Sequence, residues 1–208
     1  MKTTLGEQIM LLSLDDDTGV PKEKPKADYS VAAATLAELA LEGRIDIVDD
    51  KVAVQDRTPL EVPALDAILK AIDAREKPAK PQDLLAGLTK EAVAQARRGL
   101  LDKGLVREEK KKVWGILPVS RYPEADGVPE AELRAGLARV VLEGATPDAR
   151  QTALLAVLHG AGLHKLVLPG ADRKAVNRRM EELADGQWVA TAIRKTLELR
   201  QVAVIASL

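Results

Sequence analysis

The chain contains no cysteine and no phenylalanine. Without thiols, disulfides, thiolate nucleophiles and Cys-based zinc sites are excluded, and a reducing, cytoplasmic setting is expected. Two Trp and two Tyr are the whole aromatic content, so a core must be assembled from Leu, Val, Ile and Ala. Ala and Leu are strong helix formers. No run approaches the roughly 18 consecutive apolar residues of a membrane span. The opening stretch, MKTTLGEQIMLLSLDDD, carries acids where a secretory leader needs a small-residue cleavage site. A soluble or peripheral protein is therefore expected. Catalytic signatures are missing too: no P-loop, no G-x-G-x-x-G, no G-x-S-x-G and no H-E-x-x-H. Neither enzymatic activity nor a cofactor is expected. His159 and His164 stand beside glycines with no further ligands close by, which suits solvated or structural imidazoles rather than a metal pair. The Asp15, Asp16, Asp17 run reads as a helix-ending loop, since no Gly-punctuated calcium loop follows.

What is present suits a globular protein. The composition is 46% hydrophobic and 30% charged over 208 residues, enough for one compact domain across residues 1–208. A net charge of −1 gives the whole molecule no attraction to polyanions. Residues 86–121, however, hold nine Lys and Arg against four Asp and Glu, a local basic field.

Periodicity points to a mainly α chain with two β-hairpins. Thr4 and Glu7 have capping-box spacing and open a buried first helix. VPKEKPKAD, with two prolines and three lysines, reads as an exposed loop. A second, Ala-rich helix follows, with Asp28 or Ser30 as cap and Gly43 as stop. Residues 44–54 alternate about Asp49 and Asp50, a small hairpin. A third helix covers residues 63–75. QDLLAGL reads as a short helix, and TKEAVAQARRGLLDKG as a longer one capped by Thr89 and stopped by Gly104. LVREEKKKVWGIL then forms the first part of a second hairpin with EEKKK near its turn. Four helical stretches complete the chain, one of them capped by Thr146 with Pro147 at its first position.

Residues 82–119 thus run helix, turn, helix, hairpin, the order of a winged helix, with Arg97 and Arg98 on the recognition helix. The bland alternative is a structural helical pair with a solvated basic face. Trp114 and Tyr122 either pack the hairpin onto the body or, for Trp114, anchor it at a bilayer surface.

Four pieces add a further reading. LGEQIMLLSLDDDTG, LAELALEGRIDI, LLDKGLVREEKKKVWGILPVSRYPEAD and ARQTALLAVLHGAGL occur in that order along nearly the whole chain. In combination they resemble the Golgi phosphoprotein 3 family, in the compact form found in bacteria, especially actinobacteria, without the long N-terminal tail of eukaryotic members. The resemblance implies a central helix bundle, amphipathic outer helices and one protruding hairpin. It implies a non-enzymatic peripheral membrane adaptor that binds phosphatidylinositol 4-phosphate and a protein partner, and that self-associates through the hairpin. The family's lipid pocket has a loop Trp that falls near Glu23 or Lys24. One Arg falls near Ala32 or Ala33, and two more fall near Lys90 and Val93. The apolar wedge is absent and at most one cation stays in register. The replacement cations are Lys22, Lys24, Lys26, Lys90, Arg97 and Arg98, which suit a looser attraction to anionic or phosphoinositide lipid. For self-association the expected residues are Glu108, Glu109, Lys110, Lys111, Lys112 and Trp114, with acid set against base. Nucleic acid, or a protein partner alone, is the competing expectation.

Overall fold

The computed structural model describes residues 2–15, 18–113, 117–125 and 127–205. Among them the chain is mainly α, with two separate antiparallel hairpins. The first helix, α1 (Leu5–Ser13), is capped as its sequence demands. The Thr4 hydroxyl accepts the Glu7 N–H at 3.1 Å, and the Glu7 carboxylate accepts the Thr4 N–H at 2.7 Å. Nearly every residue of α1 is buried, as an all-round apolar run requires.

The centre is α2 (Lys24–Leu41). Its buried alanines, among them Ala32, Ala33 and Ala34, let α1, α4 and α6 approach closely. Here the expected exposed loop is corrected. The helix begins at Lys24, four residues ahead of Asp28, with Glu23 as a left-handed N-cap and Pro25 in the first turn. Proline fits there because the first turn has no use for its missing N–H. Asp28 becomes the i+4 partner of Lys24, at 2.8 Å.

The first hairpin is as expected: β1 (Ile45–Val48) pairs with β2 (Lys51–Val54) across Asp49 and Asp50, both at positive φ. After α3 (Pro63–Asp73) comes the main correction. The short and long helices are one continuous α4 (Pro81–Asp102). Leu84, Leu88, Ala92, Ala96 and Leu100 keep one buried stripe running through Gly87 and Thr89. A mid-helix Gly costs only about 1 kcal/mol, which that stripe outweighs. Thr89 is not a cap: its hydroxyl donates to the Leu85 carbonyl one turn back. With no turn inside α4, the helix, turn and helix expected within residues 82–104 are not formed.

The second hairpin is also shifted. β3 (Glu109–Val113) pairs with β4 (Leu117–Arg121), in register from Glu109 opposite Arg121 to Val113 opposite Leu117. Glu109 to Lys112 are therefore strand, not tip. Trp114 lies outside the described residues. The hairpin base is fastened by hydrogen bonds from Arg107 N to the Pro123 carbonyl and from Ala125 N to the Leu105 carbonyl, 3.1 and 3.0 Å.

The remainder is α5 (Val128–Leu142), α6 (Ala149–Gly160), the one-turn α7 (His164–Val167), α8 (Arg173–Ala184) and α9 (Trp188–Ile205). Asp148, not Thr146, caps α6, in a reciprocal box with Gln151. Trp188, at the start of α9, is half-buried and packs against the core. The buried side chains form one apolar cluster from Leu5 to Ile193. Three acids are sunk into it, each with a basic partner: Glu7 with Lys103, Glu38 with Arg150, and Glu130 with Arg134.

Candidate functional site

The loop between α1 and α2 is short and closed on itself. Leu14 bridges Pro21, and the Asp15 carboxylate accepts both the hydroxyl and the N–H of Thr18, at 2.8 and 2.9 Å. Those two bonds, hydroxyl first, hold the Asp15 carboxyl below its usual 3.8. The loop then runs against the exit of β4. The Gly19 carbonyl accepts the Tyr122 N–H at 3.0 Å. Gly19 has φ +61, and a Cβ there would stand 2.5 Å from the Tyr122 carbonyl carbon, so both the conformation and the close approach call for glycine.

Behind this contact lies a cavity of about 290 Å³. Met10, Ser13 and Leu14 of α1 and its exit form one wall. Lys24, Ala27, Asp28 and Val31 of α2 form the second, and Val93, Arg97 and Leu100 of α4 the third. Val106, Ser120 and Tyr122 close it from the hairpin base. The Arg97 guanidinium lies over the Tyr122 ring, 4.8 Å from its centroid. Such stacking fixes the planar cation while its N–H groups stay free to donate. Among the described residues Arg97 makes no ion pair.

Comparison with known proteins decides the lineage. The model of the family described as Golgi phosphoprotein 3 (GPP34) matches residues 5–199. The chain belongs to the Golgi phosphoprotein 3 family. It is similar to Vacuolar protein sorting-associated protein 74 of Eremothecium gossypii, 26% identical over 221 residues, which covers 86% of this chain. The chain spans 66% of that relative's length.

In this family member the six candidate cations separate. Lys24 and Arg97 line the cavity. Lys22, Lys24 and Lys26 each stand against a carboxylate, of Asp15, Asp28 and Glu23 respectively, at 3.4, 2.8 and 3.3 Å. Their outward field is correspondingly reduced. Lys90 and Arg98 are exposed on α4 and do not line the cavity. Of the positions to which the family's pocket residues correspond, Lys24 and Val93 face the cavity, whereas Ala32 and Ala33 are fully inside the core. Arg97 supplies a cation one turn along α4 from Val93. The residues that sequence reasoning did not assign to this place are Tyr122, Ser120 and Asp28.

The hairpin residues are placed as follows. Glu108 accepts the Ser120 hydroxyl at 2.8 Å, and Glu109 accepts the Arg107 Nε–H at 3.1 Å. Lys110, Lys111 and Lys112 stand in β3 opposite Ser120, Val119 and Pro118. Both acids thus have a partner within their own chain at the hairpin base. Among the described residues no cluster of potential metal ligands occurs, and no helix is long and apolar enough to cross a membrane.

Proposed function

We propose that the chain is a non-enzymatic peripheral membrane adaptor. It binds anionic or phosphoinositide headgroups at the cytoplasmic face of a membrane, through the cavity beneath Tyr122, and holds a protein partner elsewhere. The observation that carries this is Arg97: a guanidinium fixed on an aromatic ring in the wall of a mixed polar and apolar cavity, without an ion-pair partner among the described residues, beside the positions that correspond to the family's lipid pocket. A guanidinium fork matches the oxygens of a phosphate. The sorting role in the name of the fungal relative supports the adaptor half. Family resemblance supports self-association through the second hairpin.

The expected affinity is low. A basic side chain near an anionic surface contributes about 1 kcal/mol, and Lys90, Arg97 and Arg98 are the α4 cations without a carboxylate partner among the described residues. Co-sedimentation with vesicles of phosphatidylcholine, plain or supplemented with phosphatidylserine or phosphatidylinositol 4-phosphate, tests the function. Binding to the anionic vesicles alone, released by about 0.5 M salt through screening, is expected. Equal, salt-resistant binding to plain phosphatidylcholine contradicts the electrostatic account. No binding to any vesicle leaves a protein-only scaffold.

A further inference from the structure

A second cationic pocket lies apart from the cavity beneath Tyr122 and shares no residue with it. It is a cavity of about 270 Å³ between α7 and the first turn of α8, a size at the lower end for small ligands. His164, Lys165 and Arg173 supply its polar lining, and Leu168 and Val176 part of its apolar lining; no carboxylate lines it. Asp172, next to Arg173, has its carboxylate turned to the Lys174 and Ala175 N–H groups as the cap of α8. Among the described residues neither Lys165 nor Arg173 makes an ion pair. The Nε2 of His164 is buried without a protein hydrogen-bond partner. Burial first, then Arg173, Lys165 and Lys26, hold the His164 pKa below its ordinary value.

We infer that this pocket is an oxyanion site, in which Arg173 and Lys165 hold a phosphate- or sulfate-sized group beside the His164 ring. Like charges gathered around one hollow repel one another. One tetrahedral anion relieves that repulsion. Its planar fork makes Arg173 the principal contact, with Lys165 as a point charge. The anion is either a free ion or the phosphomonoester of a lipid headgroup, and the chemistry of the pocket is the same for both.

The chain has only two histidines, so imidazole NMR reads the site directly, with His159 as internal control. Sodium sulfate is titrated into the full-length protein at constant ionic strength, with chloride as balance. The His164 ring signals are expected to shift saturably while those of His159 move little. Arg173→Gln should weaken the apparent affinity about tenfold or more, the loss of one charge-assisted donor. Lys165→Gln should weaken it less. Vesicles containing phosphatidic acid separate the sources. If Arg173→Gln lowers binding to them, the anion is a headgroup; if only the sulfate response is lost, it is a soluble ion. A His164 response no greater than that of His159, or one unchanged in folded Arg173→Gln, overturns the assignment. It stands independently of the adaptor function, since Arg97→Ala leaves this pocket intact.

Discussion

Lys103→Met is the sharpest perturbation of the framework behind the cavity. Glu7 is 1% exposed, and the Lys103 ammonium meets both its carboxylate oxygens, one at 2.7 Å. The carboxylate also presses on the Cα of Gly99, the place where a Cβ would stand. This pair fastens α1 to the end of α4, two of the three helices that wall the cavity. Methionine preserves the length and apolar stem of Lys103 but leaves Glu7 with the Thr4 N–H alone. Removing one partner of a buried pair costs about 3–5 kcal/mol. For a chain of this size that is a fall in Tm of about 6–20 °C, at 2–4 °C per kcal/mol. Glu7→Gln in the same background should recover most of the loss. It deletes the stranded charge while Gln keeps the capping box with Thr4. Differential scanning calorimetry of the two variants and the wild type reads the effect. A Lys103→Met protein within about 1 kcal/mol of wild type, the value of a solvent-exposed pair, would refute the claim that the pair is buried and structural. So would a double variant no more stable than the single one.

Gly19→Ala should destabilise by more than the roughly 1 kcal/mol of left-handed strain, because the new methyl meets the Tyr122–Pro123 backbone; denaturant unfolding measures it, and a neutral result contradicts the contact. For pH, the folded Asp15 carboxyl is lowered, so its contribution to stability is full above the unfolded carboxylate pKa and disappears as pH falls through the folded value. Thr18→Val should therefore be less stable than wild type at neutral pH and equal to it in strong acid, and an advantage that persists in acid excludes the Asp15 hydrogen bonds as its source. Replacing residues 110–120 by Asn-Gly joins the register partners Glu109 and Arg121 with a two-residue hairpin loop. The product should fold and sediment more slowly than wild type if the hairpin mediates assembly, and unchanged sedimentation removes that role.

How far the sequence could be read depended on how local the deciding interaction was. The capping box of Thr4 and Glu7 and the turn at Asp49 and Asp50 are set within a few residues, and both were legible. Pro25 and the Gly87 to Thr89 stretch looked like interruptions because proline and glycine usually break helices. At Pro25 the helix simply starts earlier, and at Gly87 the tertiary stripe from Leu84 to Leu100 overrides propensity. The Glu/Lys run looked like a turn because of its charge, yet ladder pairing uses the backbone and does not depend on side-chain charge. The cavity was only half legible. Lys24 and Arg97 were singled out by charge, but the carboxylate partners of the lysines and the stacking of Arg97 on Tyr122 depend on tertiary placement.

Arg97 and Arg98 are adjacent in sequence, alike in charge, and about 100° apart around α4; only Arg97 reaches the cavity. Comparing Arg97→Ala with Arg98→Ala on the same anionic vesicles therefore tests the central claim most directly, since bulk charge is identical in the two variants. The cavity account predicts that Arg97→Ala loses most of the binding while Arg98→Ala loses about the 1 kcal/mol, or fivefold, of a single surface cation. Equal losses in the two variants would contradict it and assign the attraction to diffuse surface charge.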